Sequence, residues 1–246
     1  MSATKTPQTL VLIKPDALKL SLTGYVLSQL SELNTGLRIA GTRVVTVTRM
    51  LAEEHYEEHQ GKPFYPPLLE YIMGNIHYAD QPERRRVKAI VYQGENAVKK
   101  IRNLAGPTNP HDAREQQPGC IRSLGTVVPL KNDDGEVVGR RIDNLIHASA
   151  TDVEAEREIK LWMRPSDIPP LCRIYAYKQS EEFFFYRDGD LVTKHEPGSV
   201  CFLTPGDYAW ASDLEALDAL TQGKTAHCSL KAVVAKYLAN RDTHDY

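Results

Sequence analysis

The chain has 246 residues, of which 41% are apolar and 25% charged, with 30 basic side chains against 32 acidic ones. A chain of this length and composition buries a core rather than staying disordered, and its near-neutral charge argues against a dedicated nucleic-acid or membrane-surface binder. No segment approaches the run of about 18 apolar residues that a spanning helix needs, and the polar stretch Met1 to Gln8 lacks the apolar core of a signal peptide. The four cysteines, Cys120, Cys172, Cys201 and Cys228, form no C-x-x-C pair, and their sparse scatter predicts reduced thiols in a cytoplasmic protein.

The first predicted element is a strand over Thr9 to Ile13, closed by Lys14-Pro15-Asp16. Val26, Leu27, Leu30 and Leu33 fall at helical spacing before Gly36 and predict one amphipathic helix over residues 24–33. A β-branched stretch follows from Leu37 to Met50, and a polar helix from Leu51 to Gln60. Gly61 to Pro67 reads as irregular, with a helix restarting at Leu68 and running to Met73. Ala89 to Tyr92 predicts a short strand, Glu95 to Ala105 a helix stopped by Gly106-Pro107, and Thr108 to Gly119 a loop.

Asn132-Asp133-Asp134-Gly135 lies between two β-rich runs, Thr126 to Val128 and Glu136 to Val138, and marks a hairpin tip. After the short apolar run Asn144 to His147, Thr151-x-x-Glu154 has the form of a capping box opening a helix to about Met163. Arg164 to Pro170 is the sharpest change of composition, and the predicted division is a domain over residues 1–165 and an extension over residues 166–246. In the extension, Arg173 to Lys178 and Glu182 to Tyr186 read as strands, and Asp188-Gly189-Asp190 turns into Leu191 to Thr193. Ser212-x-x-Glu215 resembles a second capping box, and Leu230 to Ala239 a last helix.

The common phosphate-binding glycine loops and the H-E-x-x-H and G-x-S-x-G motifs are absent. His55 and His59, four apart, lack an evident third metal ligand, and the irregular spacing of His195, Cys201, His227 and Cys228 argues against a zinc site. His147 stands at the end of an apolar strand, just before a capped helix whose N-terminus favours an anion. A neutral imidazole is a competent nucleophile near pH 7, and a carboxylate can orient it. On these local surroundings alone a satisfied structural histidine remains the commoner reading.

Whole-chain order separates the two. The segments Thr9 to Ala17, Glu54-His55-Tyr56, Gly61 to Phe64, Gly106 to Pro110, Pro118 to Arg122, Asn144 to Ser149 and Glu154 to Ile159 resemble, in sequence, those of the nucleoside diphosphate kinases. The resemblance covers residues 8–163. It implies a ferredoxin-like βαββαβ core with an antiparallel sheet, here followed by a small α+β extension. It also implies ping-pong transfer of the γ-phosphoryl group of ATP, with Mg²⁺ held mainly through the nucleotide phosphates and no protein metal site.

Matched position by position, His147 is the phosphorylated nucleophile, with Glu158, Ser149 and Lys14 completing the catalytic set. Lys14, Tyr56, Arg102, Thr108, Arg122 and Asn144 match phosphate and ribose contacts, and Phe64 the aromatic residue that stacks on the base. The expected partners are ATP and nucleoside diphosphates, and the expected assembly a homo-oligomer: hexamer, tetramer or dimer. The chain departs from the family pattern after the histidine, where Ala148, Ser149, Ala150 and Thr151 replace glycine, serine, aspartate and serine. It is also longer over residues 77–88, 108–122 and 122–144. The alternative reading is a catalytically weak module that keeps the fold to bind nucleotides or proteins.

Overall fold

The computed structural model describes residues 6–131 and 134–240. Strand β1 (Gln8–Ile13) is buried along its whole length, because it is central in a four-stranded sheet with apolar layers on both faces. Lys14-Pro15 then opens helix α1 (Pro15–Lys19) rather than a plain turn, since proline at the first helical position lacks only an N–H that would be unpaired anyway. The single helix expected over residues 24–33 is two, α2 (Thr23–Gln29) and α3 (Glu32–Thr35). Ser31 breaks the run by accepting the N–H of Asn34 as a new cap, and Gly36 closes it in the left-handed region.

Strand β2 (Arg38–Val45) and helix α4 (Arg49–His55) come next, then α5 (Tyr65–Ile72). Helix α5 begins three residues earlier than expected, because Pro66 and Pro67 sit in its first turn, where they cost no hydrogen bond. After β3 (Val87–Gln93) and α6 (Ala97–Ala105), the expected loop contains a helix, α7 (Pro110–Gln116), with Asn109 as its cap and Pro110 at its first position. Strands β4 (Thr126–Lys131) and β5 (Val137–Asp143) pair antiparallel as expected; Asn132 and Asp133 of the expected tip lie outside the described residues. Strand β6 (Ile146–Ala148) and helix α8 (Asp152–Trp162) complete the core.

The main sheet has the order β2-β3-β1-β6, antiparallel throughout, as the ferredoxin-like expectation requires. Val11 and Ile13 face one layer with Val26, Leu30 and Ile101, while Leu10 and Leu12 face the other with Leu51, Leu69 and Ile159. Chemistry-bearing residues therefore gather where β1 and β6 end beside α4 and α8.

The extension adds β7 (Tyr177–Gln179), β8 (Phe184–Arg187), β9 (Asp190–Val192), β10 (Val200–Leu203), β11 (Tyr208–Trp210), α9 (Ala211–Thr221) and α10 (Leu230–Leu238). The strand expected over Arg173 to Lys178 is reduced to β7, paired with β11. Ser212 lies inside α9, whose preceding residue Trp210 offers no side-chain cap, so the second capping box does not form. Phe184, Phe202, Leu217, Val233 and Leu238 make a separate core.

The extension shares structure with the first 163 residues. Trp210 and Ala235 belong to the Leu12 layer, and the Trp210 indole donates to the Met163 carbonyl at 2.8 Å. The free carbonyls at the end of α10 are capped from the core: Arg43 donates to Lys236 at 2.8 Å, and Arg164 to Tyr237 at 3.1 Å. Gly41 permits this docking, because a Cβ there would sit 2.9 Å from the Asp167 carbonyl and 3.1 Å from Ile168. Within the extension, Lys236 and Asp213 form a buried pair at 2.9 Å, its ammonium also donating to the Val233 carbonyl.

Candidate active site

His147 is the middle residue of β6, opposite Leu12 of β1. Two neighbours fix the chain that delivers it. Asp16, in α1, accepts the N–H of Leu145 at 2.9 Å and holds that residue at φ 68°, and Lys14 N–H donates to the Leu145 carbonyl at 2.9 Å. On the far side, Ser149 exchanges hydrogen bonds with the Leu10 backbone and donates to Glu158 Oε2 at 2.6 Å. Glu158 reaches this point from α8, which starts at residue 152 because Thr151 accepts the Glu154 N–H; the Glu154 carboxylate reaches back to Ala150 rather than to Thr151.

The imidazole Nε2 of His147 lies 2.8 and 2.9 Å from the two oxygens of Glu158. Burial alone would raise the carboxyl pKa, but the adjacent His147 and His55 and the Ser149 hydroxyl hold it down at about 2, so the acceptor is a carboxylate. A carboxylate only accepts. In the neutral ring Nε2 therefore carries the hydrogen, and Nδ1 keeps the free lone pair.

His55, at the end of α4, stands edge-on to His147 with ring centroids 4.6 Å apart. The Trp162 indole donates to its Nδ1 at 3.2 Å. Burial first, then His147, pushes its pKa well below the usual histidine value, so it packs as a neutral ring. His55, His147 and Glu158 are the only group among the described residues with three potential metal-ligating atoms together. The carboxylate and Nε2 there are already bonded to each other, which leaves no metal cage. His59, half-buried, stacks beside Tyr56 instead.

These residues open into a cavity of about 470 Å³. Its deep wall is cationic. Lys14 Nζ donates to Asn144 Oδ1 at 2.7 Å and sits over the Tyr71 ring, and Asn144 in turn donates to the Thr108 carbonyl at 2.9 Å. Burial lowers the Lys14 pKa to about 8, against the opposing pull of Asp16. Arg122 donates to the carbonyls of Gly106 and Ile146, leaves its buried Nε unpaired, and is lowered to about 10 by burial and by Arg102. Burial raises the Tyr56 pKa, and its hydroxyl has no hydrogen-bond partner among the described residues. Arg102 and Thr108 lie exposed on the wall, and Phe64, 48% exposed, stands at the mouth.

Every residue expected from the sequence to touch phosphate, ribose or base thus lines one cavity, with Ser149 and Glu158 behind His147. Sequence reasoning missed Asp16, the role of His55, and the individual residues with which the hairpin builds a rim. Leu130, Arg140, Arg141 and Ile142 line the cavity, and Asp143 at the hairpin base accepts from Arg141 at 2.7 and 3.0 Å and pairs with His77 Nε2 at 2.9 Å. Two of the longer segments are therefore one structure. Gly125 sits at the closure, where a Cβ would strike the Asp143 carbonyl and Pro110. Arg141-x-Asp143 at the end of one segment and His77 at the start of the other are the residues that carried the available signal.

The model of the nucleoside diphosphate kinase family matches residues 7–168. The chain belongs to that family. It is 39% identical over 177 residues to the nucleoside diphosphate kinase of Pyrococcus furiosus, covering 71% of this chain and 95% of that one. To the enzyme of Staphylococcus epidermidis it is 36% identical over 179 residues, covering 73% and 98%. Among solved structures, the Aquifex aeolicus nucleoside diphosphate kinase superposes with a TM-score of 0.52 at 28% identity, covering 67% of this chain and 99% of that chain. The Halobacterium salinarum nucleoside diphosphate kinase in complex with CDP does so at 0.52 and 30%, covering 69% and 95%. The family match ends where the extension begins, and no helix among the described residues is long and apolar enough to cross a membrane.

Proposed function

We propose that this nucleoside diphosphate kinase works by ping-pong transfer through a phosphohistidine at His147. The observation that carries the reading is the Nε2 to Glu158 contact, because it leaves Nδ1 as the one ring nitrogen with a lone pair beside the cationic wall. In the first half-reaction Nδ1 attacks the γ-phosphorus of a nucleoside triphosphate. The N–P bond forms, the P–O bond to the β-phosphate breaks, and the diphosphate leaves with the electron pair. No proton need be removed from the nucleophile, and the positive charge that develops on the ring faces the Glu158 carboxylate. A second diphosphate reverses the step.

Lys14, Arg102 and Arg122 neutralise the phosphate oxygens, which is the main demand of phosphoryl transfer. Asn144 and Thr108 continue that wall toward the ribose, Tyr56 closes the site behind the histidine, and Phe64 presents a flat face to the base. The buried, neutral His55 keeps water from the far side of the His147 ring. Mg²⁺ prefers oxygen ligands, and the one carboxylate at the reacting centre is occupied by His147 and Ser149, so the phosphates placed by Lys14, Arg102 and Arg122 would hold it. When bound it supplies charge neutralisation across the β- and γ-phosphates.

The same reading includes a homo-oligomer in the cytoplasm, with residues 1–165 as the catalytic unit and 166–246 as its packed extension. Exposed Ile39 and Val44 on the outer strand β2 offer apolar surface to a second copy, and Cys120, Cys172 and Cys228 are free thiols, as a reducing compartment would leave them. The test is exchange between ATP and several diphosphates. Wild-type protein should turn over, whereas His147→Ala should lose turnover by at least about four orders of magnitude while still binding ADP. Unchanged exchange in the variant would reject the assignment.

A further inference from the structure

The rim hairpin, which replaces a shorter connection in the family pattern, places a charge where none was expected. Asn144, Ile142 and Arg140 are alternate residues at and beyond the end of β5, and all three line the cavity. Alternate residues of a strand share a face, so they form a row that starts in the phosphate wall at Asn144 and climbs toward the mouth. At about 3.3 Å per residue, Arg140 stands roughly 13 Å along the strand from Asn144. That is comparable to the distance from the terminal phosphate to the base edge of an extended nucleotide.

Of the other cations lining the cavity, Arg102 stands in the phosphate wall, Arg157 donates to the carbonyls of Glu54 and His55, and the rest are held by protein partners. Arg141 is clamped to Asp143, Arg122 to two carbonyls, and Lys14 to Asn144. Arg140 makes no hydrogen bond, ion pair or ring contact with any described residue, and its strand neighbour Ile142, with Leu130, gives the rim an apolar surface. A base stacked on Phe64 has its face covered and its edge free, and Phe64 and Arg140 line the same cavity. A guanidinium offers only donors, in a planar fork.

Given the nucleotide placement proposed above, we propose that Arg140 is a specificity-determining residue that reads the base edge and selects guanine over adenine. Guanine presents O6 and N7, two adjacent acceptors that match the fork, whereas adenine sets an N6 amino donor beside N7 and meets donor with donor. Phe64 alone would accept every base equally. The rim thus adds a preference that the catalytic floor has no means to express.

Equilibrium binding of GDP, IDP and ADP tests this without requiring phosphate transfer. Inosine keeps O6 and N7 but lacks the guanine amino group. Wild-type protein should bind GDP and IDP about equally and each about tenfold more tightly than ADP. Arg140→Ala, at an exposed position whose loss spares the fold, should bind all three with the ADP affinity, and Arg140→Lys should recover only part of the preference. Equal affinities for GDP and ADP in the wild type, a preference that survives Arg140→Ala, or IDP binding like ADP would each overturn the inference. A protein that shows the preference yet never exchanges phosphate would instead overturn the His147 reading and leave this one standing.

Discussion

At the floor of the cavity, Glu158, Ser149 and Asn144 are buried and each is held by at least two hydrogen bonds, and the chain around His147 is pinned by Asp16 and Lys14. At the rim, β4 and β5 pair only with each other, Val137 and Val138 are exposed, and Arg140 is uncommitted. The floor rests on β1, β6 and α8, elements packed on the main core; the rim joins that core through the Asp143 cluster and Gly125. Preorganised charge belongs where the barrier is set, and adaptable charge where substrates differ. One sheet therefore supports a strict chemistry and, on an inserted hairpin, a tunable recognition.

Substitutions can break this comparison, beginning at the floor. Arg122→Ala should lower kcat/KM by about two orders of magnitude or more, since it removes charge aimed at the transferred group and opens a buried space beside it. A rate near wild type would mean that the cationic wall does not act on the transition state. Glu158→Gln should lower kcat by about tenfold to a hundredfold with little change in KM, because the amide keeps the shape but not the charge facing the phosphorylated ring. An effect on KM alone would make Glu158 a binding residue.

The Lys14 pKa of about 8 gives a sign for pH dependence. The ammonium is the form that binds phosphate, and it is lost as pH rises through that value. KM for nucleotides should therefore climb about fivefold from pH 8 to pH 9 in wild-type enzyme, and Lys14→Arg should flatten that rise. A flat wild-type profile would place the Lys14 charge elsewhere. The smallest effect on chemistry is expected from the extension. Trp210→Ala should cost about 3–5 kcal/mol of stability by emptying a fully buried site, yet leave kcat of the folded protein within about twofold. Loss of kcat at full folding would show that the extension does more than pack.

Legibility in the sequence followed the same division. Strand β1 and helices α8 and α10 were readable because each carries its own signal: a continuous apolar run, or a Thr or Ser cap before periodic apolar residues. Prolines misled where they open helices, at Pro66 and Pro110, since the same residue stops a helix anywhere but its first turn. Strands β10 and β11 lacked a usable pattern because four and three residues give too little alternation, and their pairing is with distant segments. The site residues were legible as ordered motifs. Asp16, His55 and the His77 to Asp143 pair were not, because their roles arise only when α1, α4 and the hairpin converge.

The most direct measurement follows the phosphate itself. Purified protein is incubated with γ-labelled ATP and Mg²⁺, washed, and then offered unlabelled diphosphates. The account predicts label that is acid-labile and base-stable, absent from His147→Ala, and discharged by GDP and ADP alike, with GDP faster at limiting concentration. Label that persists in His147→Ala, or that forms on His147 and is not discharged by diphosphates, would contradict it.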